Sequence, residues 1–126
     1  MLRKILVVDD ENSVVKRIEE KLEAKGYVVS SAYTGFGAIQ TAIRDIPDLM
    51  ILDFMMPDMS APEIITELRK NETTKTLPVI LLISRSPSLD DEELMKNYED
   101  EYVISKIIKP FNVYQIVEAI YNYNHR

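Results

Sequence analysis

Five short apolar runs, separated by stretches with helical spacing, organise the chain. The runs cover Lys4–Val8, residues 27–32, Leu49–Asp53, Val79–Ile83 and residues 102–108. Runs of this length that are apolar almost throughout are typical of strands buried on both faces of a sheet. Between them, apolar residues recur every three or four positions, which predicts amphipathic helices. The alternation therefore predicts five β–α units that form a parallel sheet covered by helices on both faces.

Local signals predict where these helices begin and end. Gly26 follows the first helical stretch, where a residue with left-handed backbone geometry is favoured. The fourth helix is predicted over roughly residues 89–98 and is strongly acidic. The expected N-caps of the first, second, third and fifth helices are, in order, Asn12 or Ser13, Thr34, Ser60 and Asn112.

Charged residues stand where three of the predicted strands end. Asp9 and Asp10 follow the first run, Asp53 ends the third and Lys109 follows the fifth. Because the carboxyl ends of parallel strands meet at one edge of a sheet, we expect these side chains to converge. Clustered carboxylates repel one another unless a cation bridges them, and a site made only of oxygen ligands favours Mg²⁺. Taken singly, the aspartates could instead be helix caps or turn residues.

The composition restricts the classes of function. The chain has 126 residues, of which 46% are hydrophobic, and this suits one domain with a substantial core. Its formal net charge of −6 argues against nucleic-acid binding by this domain alone. It has no cysteine and one histidine, His125, which excludes a thiolate metal site and disfavours histidine chemistry. No apolar run is long enough to cross a membrane, so we expect a cytoplasmic protein without a membrane partner.

In this arrangement the sequence resembles the receiver domain of two-component response regulators over essentially its whole length. The resemblance rests on four segments in order, each at a predicted strand end: VVDDE at residues 7–11, LDFMMPDM at residues 52–59, Ser84, and KPF at residues 109–111. It implies a flavodoxin-like α/β fold, a doubly wound sheet of five parallel strands in the order 2-1-3-4-5 with five helices. It also implies that residues 1–126 form a single receiver domain.

The resemblance implies a role for each matching position. Asp53 is expected to accept a phosphoryl group from a sensor histidine kinase or a histidine phosphotransfer protein. Ser84 and Lys109 are expected to contact that group, and the bond between Lys109 and Pro110 is expected to be cis. The expected Mg²⁺ ligands are Asp9, Asp10, Asp53 and the backbone carbonyl of Met55.

The predicted function is a phosphorylatable signalling switch. Phosphorylation would alter the surface of the fourth helix, fifth strand and fifth helix for an unidentified downstream protein or output domain. The chain would catalyse only its own phosphorylation and dephosphorylation, so it is not expected to be an enzyme. One alternative is an interaction module that keeps the fold but works without phosphorylation. Another is a Mg²⁺-dependent phosphatase, which is disfavoured because Met55 stands where a second carboxylate would act as acid and base.

Four positions depart from the family pattern, one of which is residues 102–105 in place of a usual turn rich in glycine and aspartate. Ala61 replaces a usual glycine, which predicts a reshaped loop because a side chain disfavours positive φ. Arg85 follows Ser84 where a small residue is usual. Lys106 occupies the usual position of an aromatic switch residue, three before Lys109. A buried ammonium is costly, so we expect Lys106 to stay near the surface and to pair with the acidic residues 90–93.

Overall fold

The structure, a computed structural model, describes residues 2–84 and 89–126, apart from the side chains of residues 89–92. Strands and helices alternate along the chain, as the apolar pattern predicted. The elements are β1 Lys4–Val8, α1 Asn12–Ala24, β2 Val28–Ala32, α2 Gly35–Asp45, β3 Leu49–Asp53, α3 Ala61–Arg69, β4 Val79–Ile83, α4 Leu89–Asn97, β5 Val103–Ile108 and α5 Val113–Asn124.

The five strands form one parallel sheet in the order β2-β1-β3-β4-β5, which confirms the expected topology. The pairing register places the strand ends side by side. Val8 is opposite both Ala32 and Leu52, and Ile83 is opposite Ile108. The order of strands reverses between β1 and β3, and ligands of such sheets bind at the carboxyl ends beside this point.

Helices cover both faces of the sheet. Alternate residues of each central strand point to opposite faces, so β1 contributes Leu6 to one core and Ile5 to the other. The Leu6 core includes buried residues of α2, α3 and α4, whereas the Ile5 core includes those of α1 and α5. Strands buried on both sides explain the continuous apolar runs. Within the described residues, no helix has the length and apolar character needed to span a membrane.

Most of the helix boundaries agree with the sequence signals. Thr34 and Asn112 cap α2 and α5 through their side chains, and Ser60 forms a reciprocal capping box with Glu63. Gly26 has φ of 95° just past α1. Each cap supplies a hydrogen-bond partner to a helix end that would otherwise lack one.

The expected N-cap of α1 was wrong. Glu11 occupies the cap position without a side-chain hydrogen bond, and Asn12 is already helical. Asp9 explains the difference, because its Oδ1 accepts the Glu11 N–H over 3.0 Å and turns the chain directly after β1. The Glu11 carbonyl then accepts the N–H groups of Val14 and Val15 to begin the helix.

Ala61 does not adopt the positive φ on which the expected reshaping of its loop depended. Ala61 is the first residue of α3 and is fully buried. Among the described residues other than glycine, only Ile46 has positive φ, so the methyl group of Ala61 meets no backbone conflict. The Ala61 N–H instead donates to the Phe54 carbonyl over 2.7 Å and closes the loop after β3.

Candidate functional site

Three carboxylates converge at the carboxyl edge of the sheet. Asp9 follows β1, Asp10 follows Asp9, and Asp53 is the last residue of β3. One carboxylate oxygen from each lies within 4.8 Å of the others. Asp9 and Asp53 are buried, at 0% and 3% exposed, whereas Asp10 is exposed to solvent. The structure therefore brings together the three aspartates that the sequence pattern placed at this edge.

Lys109 faces the two buried carboxylates. Its Nζ donates to Asp9 Oδ2 over 2.7 Å and lies 3.4 Å from Asp53 Oδ2. The Lys109 N–H donates to the Ile83 carbonyl over 2.7 Å, which fixes the residue beside β4, and the bond to Pro110 is cis as expected. The ammonium group is therefore positioned from β5 across the end of the sheet.

The environment shifts the proton affinities of Asp53 and Lys109. Burial, together with the negative charge of Asp9, raises the pKa of Asp53 to about 6 despite the opposing effect of Lys109. Burial alone would lower the pKa of Lys109, but the hydrogen bond to Asp9 and the nearby carboxylates raise it above its ordinary value. Lys109 is consequently a cation, and Asp53 is a carboxylate that lacks full compensation of its charge.

The acidic cluster fits a hard divalent cation. Asp53 Oδ1 is buried, and no group among the described residues donates a hydrogen bond to it. Such an oxygen is costly unless a cation or a polar group occupies the space beside it. Three carboxylates against one lysine leave net negative charge, and all of the side-chain donors are oxygens, as Mg²⁺ prefers.

Ser84 and Met55 lie at the same edge of the sheet. Ser84 directly follows β4 and is half-buried. In the β3–β4 pairing, Asp53 is opposite Leu82, two residues before Ser84. Met55 is 46% exposed, and its backbone forms an isolated antiparallel bridge with Ser60. Arg85 falls outside the described residues.

The partners of Lys106 among the described residues are backbone carbonyls. Its Nζ donates to the backbone carbonyls of Tyr98 and of Lys96, the latter over 3.0 Å. These carbonyls end α4, where unsatisfied acceptors and the helix dipole favour a cation. Of the acidic stretch at residues 90–93, only the Glu93 side chain is described, and it forms no ion pair with Lys106. The lysine therefore joins β5 to the end of α4 through the backbone.

Sequence reasoning missed two contributors near the site. Glu11 places Oε1 3.9 Å from Lys109 Nζ and adds a third carboxylate to its surroundings. Asp58, in the loop after β3, accepts the N–H groups of Gly35 and Phe36 at the start of α2. The Asp9-Asp10-Glu11 run gave a signal for Glu11. The role of Asp58 depends on α2 and could not be read from local sequence.

Comparisons with known proteins agree with this arrangement. Residues 5–121 match the family described as the response regulator receiver domain. The chain is 32% identical over 119 residues to the response regulator ArlR of Staphylococcus saprophyticus, covering 94% of this chain and 51% of that protein. It is 37% identical over 109 residues to the transcriptional regulatory protein KdpE of Mycobacterium tuberculosis, covering 86% of this chain and 45% of that protein. The chain thus spans about half the length of these relatives.

Solved structures show the same architecture. The chemotaxis response regulator CheY4 of Vibrio cholerae is 25% identical, with a TM-score of 0.80 and coverage of 97% of this chain and 98% of that one. A putative response regulator from Chloroflexus aurantiacus is also 25% identical, with a TM-score of 0.81 and complete coverage of both chains.

Proposed function

Because the chain belongs to the response regulator receiver domain family, we propose that it is a signalling switch in which Asp53 accepts a phosphoryl group. One observation supports this assignment most directly. Asp53 presents a buried carboxylate oxygen that has no hydrogen-bond donor among the described groups, next to Lys109 and within an acidic cluster. Such a carboxylate can act as a nucleophile once a cation offsets its charge, and the lysine is near enough to meet the incoming negative charge.

In the proposed reaction, the donor is a phosphohistidine of a sensor kinase or of a phosphotransfer protein. A bond forms between an Asp53 carboxylate oxygen and phosphorus, while the bond between phosphorus and the donor imidazole nitrogen breaks. The freed imidazole takes up a proton from solvent. Lys109 stabilises the charge that accumulates on the phosphoryl oxygens, and Ser84 donates its hydroxyl hydrogen to one of them. The chain catalyses this step only on itself.

Asp9, Asp10, Asp53 and the backbone carbonyl of Met55 are the proposed ligands of Mg²⁺. When bound, Mg²⁺ supplies positive charge that offsets the repulsion between an anionic phosphoryl group and an anionic nucleophile. Asp9 has a second task, because its Oδ2 accepts the hydrogen bond that holds the Lys109 ammonium group in the site.

The proposed output surface comprises α4, β5 and α5. Lys106 belongs to β5, and its ammonium group donates to the carbonyls at the end of α4. Phosphorylation would draw Ser84, which directly follows β4, toward the new group and shift it relative to β5. The bonds made by Lys106 then transmit that shift between α4 and β5, in place of a buried aromatic side chain. The downstream partner is a protein or an output domain.

A labelling experiment tests the acceptor assignment. The protein is incubated with acetyl phosphate and Mg²⁺, and its intact mass is measured. One added phosphoryl group is expected in the wild type, and none is expected in Asp53→Asn or when a chelator removes the metal. Glu20→Gln, which alters an exposed carboxylate on α1, serves as the matched control and should be labelled like the wild type. A label that persists in Asp53→Asn contradicts the proposal.

The contrasting function is a phosphorylation-independent interaction module. The hydrogen bonds from Lys106 to the end of α4 favour this second function, because they hold α4 and β5 in one arrangement. Amide chemical shifts with and without beryllofluoride, a phosphoryl mimic, distinguish the two functions. A switch predicts shift changes in β5 and α4, whereas an interaction module predicts none beyond the immediate surroundings of Asp53.

A further inference from the structure

Asp58 connects the loop after the proposed phosphoacceptor to a different helix. Its Oδ1 accepts the Gly35 N–H over 2.7 Å, and its Oδ2 accepts the Phe36 N–H over 3.0 Å. Both carboxylate oxygens thus accept hydrogen bonds from the first two residues of α2. The connection joins segments that lie more than twenty residues apart in the sequence.

The loop that carries Asp58 is closed on itself. The Met56 N–H donates to the Met59 carbonyl over 3.1 Å, Met55 bridges Ser60, and the Ala61 N–H reaches the Phe54 carbonyl. These bonds set the conformation within the loop but do not hold it against α2. The base of the loop is fixed to the sheet because the Phe54 N–H donates to Leu82 of β4 over 2.9 Å. Asp58 lies at the far end, away from this base.

The contact between the loop and α2 is tight. A Cβ atom added to Gly35 would lie 2.7 Å from the Met59 Cβ, closer than such atoms approach one another in proteins. Glycine at the first position of α2 therefore lets the loop pack directly against the helix backbone. The Asp58 hydrogen bonds and this close packing together determine where the end of the loop lies.

We propose that Asp58 is a positioning residue for metal binding, which it supports by holding the loop that carries Met55 against α2. The inference rests on the proposed function, in which the Met55 carbonyl is a ligand of Mg²⁺. Met55 is 46% exposed and lies three residues before Asp58, so packing of its side chain alone does not hold its backbone in place. An anchor at Asp58 limits the positions that this backbone can take, and partners of metal ligands affect affinity in this way.

Capping of α2 alone is the competing explanation, and the chain offers a matched control for it. Thr34 caps the same helix, since its Oγ1 accepts the Gly37 N–H over 3.0 Å, but it belongs to the segment before α2 and not to the loop. Thr34→Ala therefore weakens the start of α2 and leaves the loop anchor intact. Gly35→Ala does the opposite, because it displaces the loop without changing charge and places a good helix former in α2.

The experiment measures the Mg²⁺ dissociation constant of the intact chain by calorimetry and by amide shifts during titration with Mg²⁺ alone. Thermal unfolding of each variant checks that it is folded. Asp58→Ala and Gly35→Ala are expected to bind Mg²⁺ about tenfold more weakly than the wild type, at the lower end of the effects seen for partners of metal ligands. Asp58→Asn keeps one acceptor oxygen and should lie between Asp58→Ala and the wild type. Thr34→Ala should bind like the wild type.

Three outcomes overturn the inference. Wild-type affinity in Asp58→Ala shows that the anchor is irrelevant to the metal. Weakening in Thr34→Ala equal to that in Asp58→Ala shows that the stability of α2 is the cause. Wild-type affinity in Gly35→Ala shows that Asp58 acts through its charge alone. The proposed metal site itself fails on a different result, which is an absence of Mg²⁺ binding by the wild type.

Discussion

The Lys109 ammonium group donates a 2.7 Å hydrogen bond to Oδ2 of Asp9, a carboxylate with no solvent exposure. The two residues lie 100 positions apart in the sequence, and the hydrogen bond joins the segments that follow β1 and β5. Asp9 therefore depends on Lys109 for compensation of its buried charge. Removal of the lysine should have consequences for stability as well as for phosphoryl transfer.

We expect Lys109→Met to lower the free energy of unfolding by about 3 kcal/mol in the presence of a chelator. The reason is that the mutation leaves Asp9 buried without its cation, and breaking a buried pair in this way is strongly destabilising. Urea unfolding at neutral pH measures the change. Lys75→Met is the control, because Lys75 forms an exposed 3.5 Å pair with Glu72 and should matter by less than about 1 kcal/mol. Equal effects of the two mutations would contradict the dependence of Asp9 on Lys109.

Asp10→Ala should weaken Mg²⁺ binding by about tenfold or more. Asp10 contributes one of the three converging carboxylates, and loss of a charged ligand reduces the attraction for a hard cation. Calorimetric titration with Mg²⁺ measures the affinity. Asp10 is exposed, so the variant should unfold at nearly the same temperature as the wild type. Equal binding by both proteins would exclude Asp10 as a ligand.

A pH-dependent contribution to stability is expected from Asp100. Partial burial opposes its ionisation, but the hydrogen bonds from Arg69 and from the Tyr102 N–H lower its pKa below the ordinary value. A carboxyl group with a lowered pKa stabilises the folded state at pH values above its unfolded pKa of about 3.9, and this contribution is lost as pH falls through the folded pKa.

The corresponding mutant is Asp100→Asn. Its free energy of unfolding should be lower than that of the wild type by about 1 kcal/mol at pH 7, and the difference should shrink as pH falls below about 4. Urea unfolding across this range measures it. Asp45→Asn removes an ion pair with Arg44 in which the arginine side chain is mostly exposed. The free energy of unfolding should therefore fall by less than in Asp100→Asn at every pH. A difference for Asp100→Asn that is independent of pH would contradict the assignment.

Lys106→Ala should loosen the end of α4. The ammonium group satisfies the carbonyls of Lys96 and Tyr98, so its loss leaves the last turn without those donors. Amide hydrogen exchange should become faster at Tyr98, whose N–H donates to Leu94 over 3.0 Å, while exchange in β3 stays unchanged. Lys106→Arg keeps a cationic donor and should lie closer to the wild type. Unchanged exchange at Tyr98 in Lys106→Ala would show that the lysine does not hold the helix end.

Much of the fold could be predicted because its signals are local. Continuous apolar runs identified the buried strands, and Thr34, Ser60 and Asn112 identified three helix starts. The exception was the start of α1, where a turn made by Asp9 through its own side chain displaced the expected cap. Ordinary capping preferences do not include this competition. The strand order followed from the family resemblance and not from the apolar pattern.

The candidate site was predictable to the extent that it consists of strand ends. Register alone brings Asp9 beside Asp53, because Val8 and Leu52 are paired. Contacts that depend on packing between elements were not predictable. The partners of Lys106 depend on where α4 ends relative to β5, and those of Asp58 depend on the position of α2. Neither position can be obtained from spacing within one segment.

Asp53 alone is proposed to receive the phosphoryl group, and chemical mapping of the modified residue tests this assignment without a mutation. The wild-type protein is treated with acetyl phosphate or phosphoramidate and Mg²⁺, reduced with borohydride, digested and sequenced by mass spectrometry. Borohydride converts an aspartyl phosphate into homoserine, so homoserine is expected at position 53 and nowhere else. Homoserine at position 9 or 10, or aspartate retained at position 53 with both donors, would contradict it.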